Sequence, residues 1–267
     1  MLFRRACTAL TAVVFVFTIA TESKAVTISS LTHERQAMPG ETYNGTIEIV
    51  NNSPDAAIVK VYQTDYQFQS DGSNSFGIAG ELPRSNAVWV DFSPNRITIP
   101  PNSTYLVNYS VKVPANDSLS GTYWSMMMVE ETQTAAPTNN PADQQAAISQ
   151  IVRYGVQCIT QIGTTGEPDL QIVEAKLTSD SSNARELRLD VKNDGDRWAV
   201  PVVWAELYDQ TGKSAGKFEC EKKRIFPGTS VRFKIMMNDS LKGNYKALIV
   251  LDTGGENVIG AKYDLEF

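Results

Sequence analysis

Asn116-Asp117-Ser118-Leu119-Ser120-Gly121-Thr122-Tyr123 recurs 122 residues later as Asn238-Asp239-Ser240-Leu241-Lys242-Gly243-Asn244-Tyr245. Each copy runs straight into an apolar stretch, Trp124-Ser125-Met126-Met127-Met128-Val129 in the first and Lys246-Ala247-Leu248-Ile249-Val250-Leu251 in the second. What repeats is a corner feeding a buried strand. Leu-x-Gly-x-Tyr has the form of a tyrosine corner, in which a Tyr at the start of a strand turns its hydroxyl back onto the preceding turn of a Greek-key sandwich. Gly121 and Gly243 serve the turn, Tyr123 and Tyr245 close it, and two copies predict two sandwiches.

Upstream, Met1-Leu2-Phe3-Arg4-Arg5 is basic, and the apolar run from Ala9 to Ala20 is too short for a membrane span. With Ser23-Lys24-Ala25 behind it, the stretch 1–25 reads as a secretory signal cleaved before Val26, which sends the rest to the periplasm or the cell exterior. No Cys stands at the cleavage point to take a lipid. Cleavage leaves 242 of the 267 residues, which suits two sandwiches of roughly 100 residues each. It also removes Arg4, Arg5, Lys24 and Glu22, moving the net charge from −6 to −8. An acidic net charge repels phosphate backbones, which argues against nucleic acid and anionic membranes as partners.

From Val26 onward, short alternating stretches are punctuated by turns. Tyr43, Gly45, Ile47 and Ile49 alternate with Asn44, Thr46 and Glu48, and Tyr105-Val107-Tyr109-Val111-Val113 keeps a period of two. Leu187-Leu189-Val191 and Val231-Phe233-Ile235 repeat the pattern, and no amphipathic helix of three turns interrupts it. The prediction is an all-β chain of two consecutive Ig-like antiparallel β-sandwich domains, 26–163 and 164–267. Val26 to Leu31 reads as the first strand, Gln69 to Asn86 as a surface loop, about 130–147 as a mobile loop, and Ile148 to Ile162 as the last strand of the first domain. Gly163-Thr164-Thr165-Gly166-Glu167-Pro168 reads as a short hinge, and Asn193-Asp194-Gly195 as a hairpin turn.

Catalytic chemistry finds little to stand on. His33 is the one histidine, in a polar stretch that reads as surface, and no Gly-x-Ser-x-Gly elbow exists to make a relay with it. Ser214-Ala215-Gly216-Lys217 has the Ser-x-x-Lys spacing of acyl-transfer enzymes, but that chemistry needs a helical turn and this stretch reads as strand. Glu130 and Glu131 point to opposite faces of a strand. Neither cysteine lies near another Cys or the His, so no metal site is predicted, and no cofactor either. Once the leader and Cys7 are gone, Cys158 and Cys220 remain, both placed inward by alternation. Two inert thiols in separate domains is the first reading, and a disulfide between them the alternative.

Binding through surfaces is what remains. The long strand places Ile151, Arg153, Gly155, Gln157 and Ile159 on the face opposite Val152, Tyr154, Val156 and Cys158. One face serves the core. The other either offers an apolar edge to an extended polypeptide by strand addition, or packs through Ile151 and Ile159 on the neighbouring domain or loop.

The layout resembles the two-domain periplasmic chaperones of pilus assembly: Pro39-Gly40 before a strand ending Val50-Asn51-Asn52, a long loop between the last two strands of domain one, and a second Ig-like domain behind a short linker. That resemblance implies capture of a client's terminal carboxylate by an Arg near the first strand and a Lys on the last strand. Arg35 matches the first, and Arg153 is what the last strand offers for the second. The chain is also similar to the tandem Ig-like domains of WxL-type surface proteins, through Ile97-Thr98-Ile99-Pro100-Pro101-Asn102-Ser103, Val111-Lys112-Val113-Pro114 and Phe226-Pro227-Gly228-Thr229-Ser230. The expectation is an exported, non-enzymatic protein that binds extended polypeptides or envelope proteins, chaperone-like or as an assembly partner. The alternative is a surface or peptidoglycan-binding adhesion module.

Overall fold

The computed structural model describes residues 26–132, 151–179, 184–255 and 258–267. The leader at 1–25 and most of the loop expected at 130–147 lie outside these residues. In chain order the first half forms β1 (Val26–Ile28), β2 (Thr32–Ala37), β3 (Thr42–Asn51), β4 (Ala57–Phe68), β5 (Asn74–Gly77), β6 (Val90–Phe92), β7 (Arg96–Ile99), β8 (Ser103–Lys112), β9 (Gly121–Thr132) and β10 (Arg153–Ile162). The second half forms β11 (Leu170–Ser179), β12 (Arg185–Asn193), β13 (Val202–Tyr208), β14 (Ser214–Glu219), β15 (Ser230–Met236), β16 (Asn244–Asp252) and β17 (Val258–Glu266). Among the described residues no helix is long and apolar enough to cross a membrane.

These strands make two sandwiches. The first pairs a sheet of order β1-β3-β8-β6 with one of order β2-β10-β9-β4-β5, β7 also joining β4; the second pairs β11-β12-β15 with β14-β13-β16-β17. The period-two pattern explains the layers. Ile47, Ile49, Val59, Val61, Val107, Met127 and Val129 fill the first core, and Leu187, Leu189, Val203, Leu207, Phe233, Ile249 and Leu251 the second. Each such side chain stabilises by about 1.5–3 kcal/mol on burial.

The repeated phrase is the same joint twice, feeding β9 and β16, each the strand between its sheet's neighbours. Ser118 N–H donates to Asn116 Oδ1 at 3.0 Å and Leu119 N–H to Asn116 O at 3.1 Å; Ser240 and Leu241 make the same bonds to Asn238 at the same distances. Gly121 and Gly243 take φ of +71° and +87°, which glycine adopts without a Cβ penalty. The tyrosine detail needs correction. Among the described residues neither hydroxyl bonds to the corner; Tyr123 packs its ring on Trp89 at 4.7 Å, and Tyr245 meets Phe267 edge-on at 5.5 Å.

A second repeat went unread in the sequence. Asn51 closes β3 and Asn193 closes β12, both side chains buried. Each Oδ1 accepts the N–H two residues on, Ser53 or Gly195, at 3.0 Å. Each Nδ2 donates to the carbonyl four residues on, Asp55 at 2.9 Å or Arg197 at 2.8 Å, and to a distant isoleucine carbonyl, Ile99 or Ile225. Asn193-Asp194-Gly195 is therefore not a hairpin turn, because it leads from β12 into β13 of the opposite sheet.

Two further expectations change. The segment Gln69–Asn86 carries β5, whose residues are all exposed and so leave no burial pattern. The linker is pinned rather than hinged: Thr165 Oγ1 accepts from Gly121 N–H at 3.1 Å, Glu167 N–H donates to Asp196 Oδ1 at 2.8 Å, and Arg197 donates to Thr165 O at 2.6 Å.

Candidate functional site

The N-terminal strand changes sheets. Val26, buried in the first core, holds β1 antiparallel to β3, whereas from Thr32 the chain lies parallel to β10 in the other sheet. The parallel ladder covers β10 only from Gln157 to Ile162. Gln157 N–H donates to Leu31 O at 2.9 Å and Gly163 N–H to Ala37 O at 3.0 Å, so odd-numbered residues of β10 face β2. Even-numbered ones face β9. Over Arg153–Val156, β10 pairs with β9 on one side and, among the described residues, with nothing on the other. By the alternation of the ladder, the N–H and C=O of Arg153 and Gly155 point off the sheet there. The chain thus leaves a half-length open edge where its first strand has crossed to the other sheet.

Beside this edge the outer face of the sheet is apolar. Gln157 and Gly155 of β10 lie across from Met126 and Met128 of β9, which in turn lie across from Thr64 and Tyr62 of β4. Both methionines are buried despite facing outward. Met126 lies over Gly155, where a Cβ would fall 2.5 Å from its Cε. Arg153 Nε and Glu130 Oε2 close one rim at 2.8 Å, with the Tyr62 hydroxyl donating to the same oxygen at 3.0 Å.

At the other end the face turns aromatic and runs under the second sandwich. Tyr66 lies 4.8 Å from Phe76 and 6.0 Å from Trp124, and Trp124 stacks on Phe226 at 4.4 Å. Glu34, on the exposed strand β2, ties the same junction: it accepts from Trp198 Nε1 at 3.0 Å and Gln161 Nε2 at 3.2 Å, and pairs with Arg224 at 3.1 Å.

The residues singled out in the sequence scatter over this arrangement. Ile151 is 51% exposed and leads into the open edge, and Arg153 begins it. Ile159, expected as a candidate on the binding edge, is instead 1% exposed in a cluster with Trp124 and Phe226, because the second sandwich covers that row; Ile151, given the same alternative of packing on a neighbour, stays exposed. Arg35 pairs in register with Thr160, seven positions along β10 from Arg153, or roughly 23 Å at strand rise. The two arginines therefore cannot close on one carboxylate. His33 is not a free surface residue either; Nδ1 lies 2.8 Å from the Tyr109 hydroxyl, and burial lowers its pKa. The alternative of a disulfide is also corrected, since Cys158 and Cys220 are both free thiols packed against separate cores. Burial pushes the Cys158 thiol up to about 12 and that of Cys220 up to about 11. Lys217 of the Ser-x-x-Lys stretch sits on β14, its ammonium 4.3 Å from the Trp204 ring centroid.

Sequence reasoning missed Glu34, Trp198, Arg224 and Phe226. Each stands in a polar or turn-like stretch whose partner is distant in sequence, and no local pattern marks it.

No protein-family model matches the chain, and no curated protein matches it in sequence. Among solved structures it is similar to the class 5 fimbriae chaperone CfaA, at 11% identity over 89% of this chain and 98% of that one, with a TM-score of 0.47. It is similar to the YadV chaperone at 13% identity over 90% and 99%, TM-score 0.41. The Salmonella enterica complex of the SafA pilin with the SafB chaperone gives 16% identity over 92% and 99%, TM-score 0.43.

Proposed function

We propose that the protein is an exported, non-enzymatic binder of extended polypeptide, working in the periplasm as a chaperone-like assembly partner. The client adds as a strand beside Arg153–Val156. The observation that carries this reading is the half-open edge of β10, whose backbone donors and acceptors stand next to an apolar methionine face and are left unpaired among the described residues. Strand addition takes its affinity from main-chain hydrogen bonds and its selectivity from alternate side chains. The leader at 1–25 supports export. An acidic chain with one histidine gives no support to nucleic acid binding or acid-base catalysis.

The test places a photo-crosslinking amino acid at Ile151 and, as a control, at Leu106 on the opposite sheet, which is similarly exposed. Crosslinks to envelope polypeptides from position 151 and not from 106 support the reading. Retention on purified peptidoglycan with no polypeptide crosslink at 151 would replace it with the wall-binding alternative.

A further inference from the structure

We propose that Gly155 is the specificity-determining position of the open edge, and that it selects a large apolar side chain at the client position paired with it. This rests on the strand-addition reading above.

Glycine within a strand weakens it and marks a place where something approaches closely. Gly121 and Gly243 are required by their positive φ, but Gly155 has ordinary strand geometry and could carry any side chain as far as the backbone is concerned. Space is what the glycine provides. A Cβ would meet Met126 Cε at 2.5 Å, so the Met126 methyl takes the place of the missing side chain, while Met128 Sδ at 3.5 Å and Met126 Sδ at 3.7 Å lie in ordinary contact range.

Directly paired residues on one face of a sheet normally touch each other at Cβ separations of about 4.5–5.5 Å. A client residue opposite Gly155 finds no such partner on β10. It meets the methionine surface instead, which is apolar and adaptable in shape. A glycine or alanine there makes little contact with the Met126 methyl. A carboxylate gains no free cation, because Arg153 already pairs with Glu130 at 2.8 Å. Leucine, isoleucine or phenylalanine buries its own surface over Gly155 and against the Met126 methyl.

The experiment fixes the register by a tether. Ile151→Cys in a Cys220→Ser background gives one accessible thiol, since Cys158 is buried. Synthetic threonine/valine decapeptides bearing a Cys at either end, to sample both strand directions, vary the residue beside Gly155 among Gly, Ala, Glu, Leu and Phe. The readout is the mercaptoethanol concentration at which half the tether is lost. Leu and Phe peptides are expected to resist about tenfold more reductant than Ala, the effect of burying one such side chain. In Gly155→Val, which displaces the Met126 methyl, and Met126→Ala, which removes it, that preference should fall below about twofold. An undiminished preference in both variants overturns the inference while leaving edge binding intact. Tethering no better than that of a glycine/serine control peptide overturns edge binding, and the inference with it.

Discussion

The carbonyl oxygen of Asp196 stands 1.9 Å from where a side chain on Gly121 would begin. The first corner is thus also a joint between sandwiches: Thr122 N–H donates to that carbonyl at 2.7 Å, and Ser120 Oγ donates to the Asp196 carboxylate at 2.5 Å. Gly243, its counterpart in the repeat, has nothing within 4 Å of its Cβ position. Gly243→Ala should therefore cost only the strain of a positive φ, about 1–2 kcal/mol. Gly121→Ala adds a backbone clash and should cost at least about 4 kcal/mol. Urea midpoints of the two variants check the difference, and equal losses would show the junction to be looser than described.

Glu34 is the main polar anchor of β2, a strand whose only fully buried side chain is Ala37. Glu34→Ala should leave both cores intact and release β2 from β10. Amide exchange then quickens at Gln157, Ile159 and Gln161, which face β2, and stays slow at Cys158 and Thr160, which face β9. Uniform acceleration of both sets would mean general destabilisation instead.

The same contrast explains what the sequence could reveal. Strands buried on one face announce themselves, as Tyr43–Ile49 and Val231–Ile235 do, because alternation is the imprint of a half-buried sheet. In the sequence β2 shows only a polar stretch, since its ladder partner lies more than 120 residues away and its side chains stay outside. For the same reason the sequence pattern runs the first strand through to Leu31, whereas it breaks after Ile28 to change sheets. That change creates the open edge, so the site depends on a topological event without a local signal. Gly155 was visible as a residue but not as a notch, because the methionine filling it comes from another strand.

Acid should weaken two carboxylate contacts, one within the second sandwich and one at the junction. The Arg232 hydrogen bonds, at 2.7 and 2.6 Å, hold the Asp190 carboxyl below its ordinary range against the opposing effect of burial. For Asp196 burial acts upward, but the Ser120 hydroxyl, the Glu167 N–H and Arg84 outweigh it and the net shift is again downward. A carboxyl with a depressed folded pKa contributes fully above its unfolded value and loses that contribution as pH falls through the folded one. Stability from these two groups should be flat from neutral pH down to about 4 and decline below it. In Asp196→Asn the contribution is already missing at pH 7, so its urea midpoint should fall less steeply than the parent's on further acidification. Parallel curves would assign the acid response to other carboxylates.

The two thiols should differ in reaction with an aromatic disulfide reagent. Cys158 is 2% exposed and its thiol is pushed up to about 12, so it should stay silent until the protein unfolds. Cys220 is half-buried and pushed up to about 11, and should react slowly in the native state. One slow equivalent before unfolding and a second after it is the expected titration; none in either state would indicate a disulfide.

Proline separates the edge from the side chains that decorate it. The N–H of Arg153 points away from β9, so removing it breaks no bond within the described sheet, and proline is tolerated at the first residue of an edge strand. Arg153→Pro should therefore stay within about 1 kcal/mol of Arg153→Ala in stability, since both lose the Glu130 pair, an exposed contact of small worth. Tyr154 lies in register with Val129 as a hydrogen-bonded pair, so Tyr154→Pro removes a ladder bond, leaves its partner unsatisfied and should cost about 1–3 kcal/mol more than Arg153→Pro. If clients add as strands, crosslinking from position 151 survives Arg153→Ala and is lost in Arg153→Pro, because only the latter lacks the outward donor. Equal crosslinking in both would place the client on side chains alone, and the open edge would then be a by-product of the strand's change of sheet.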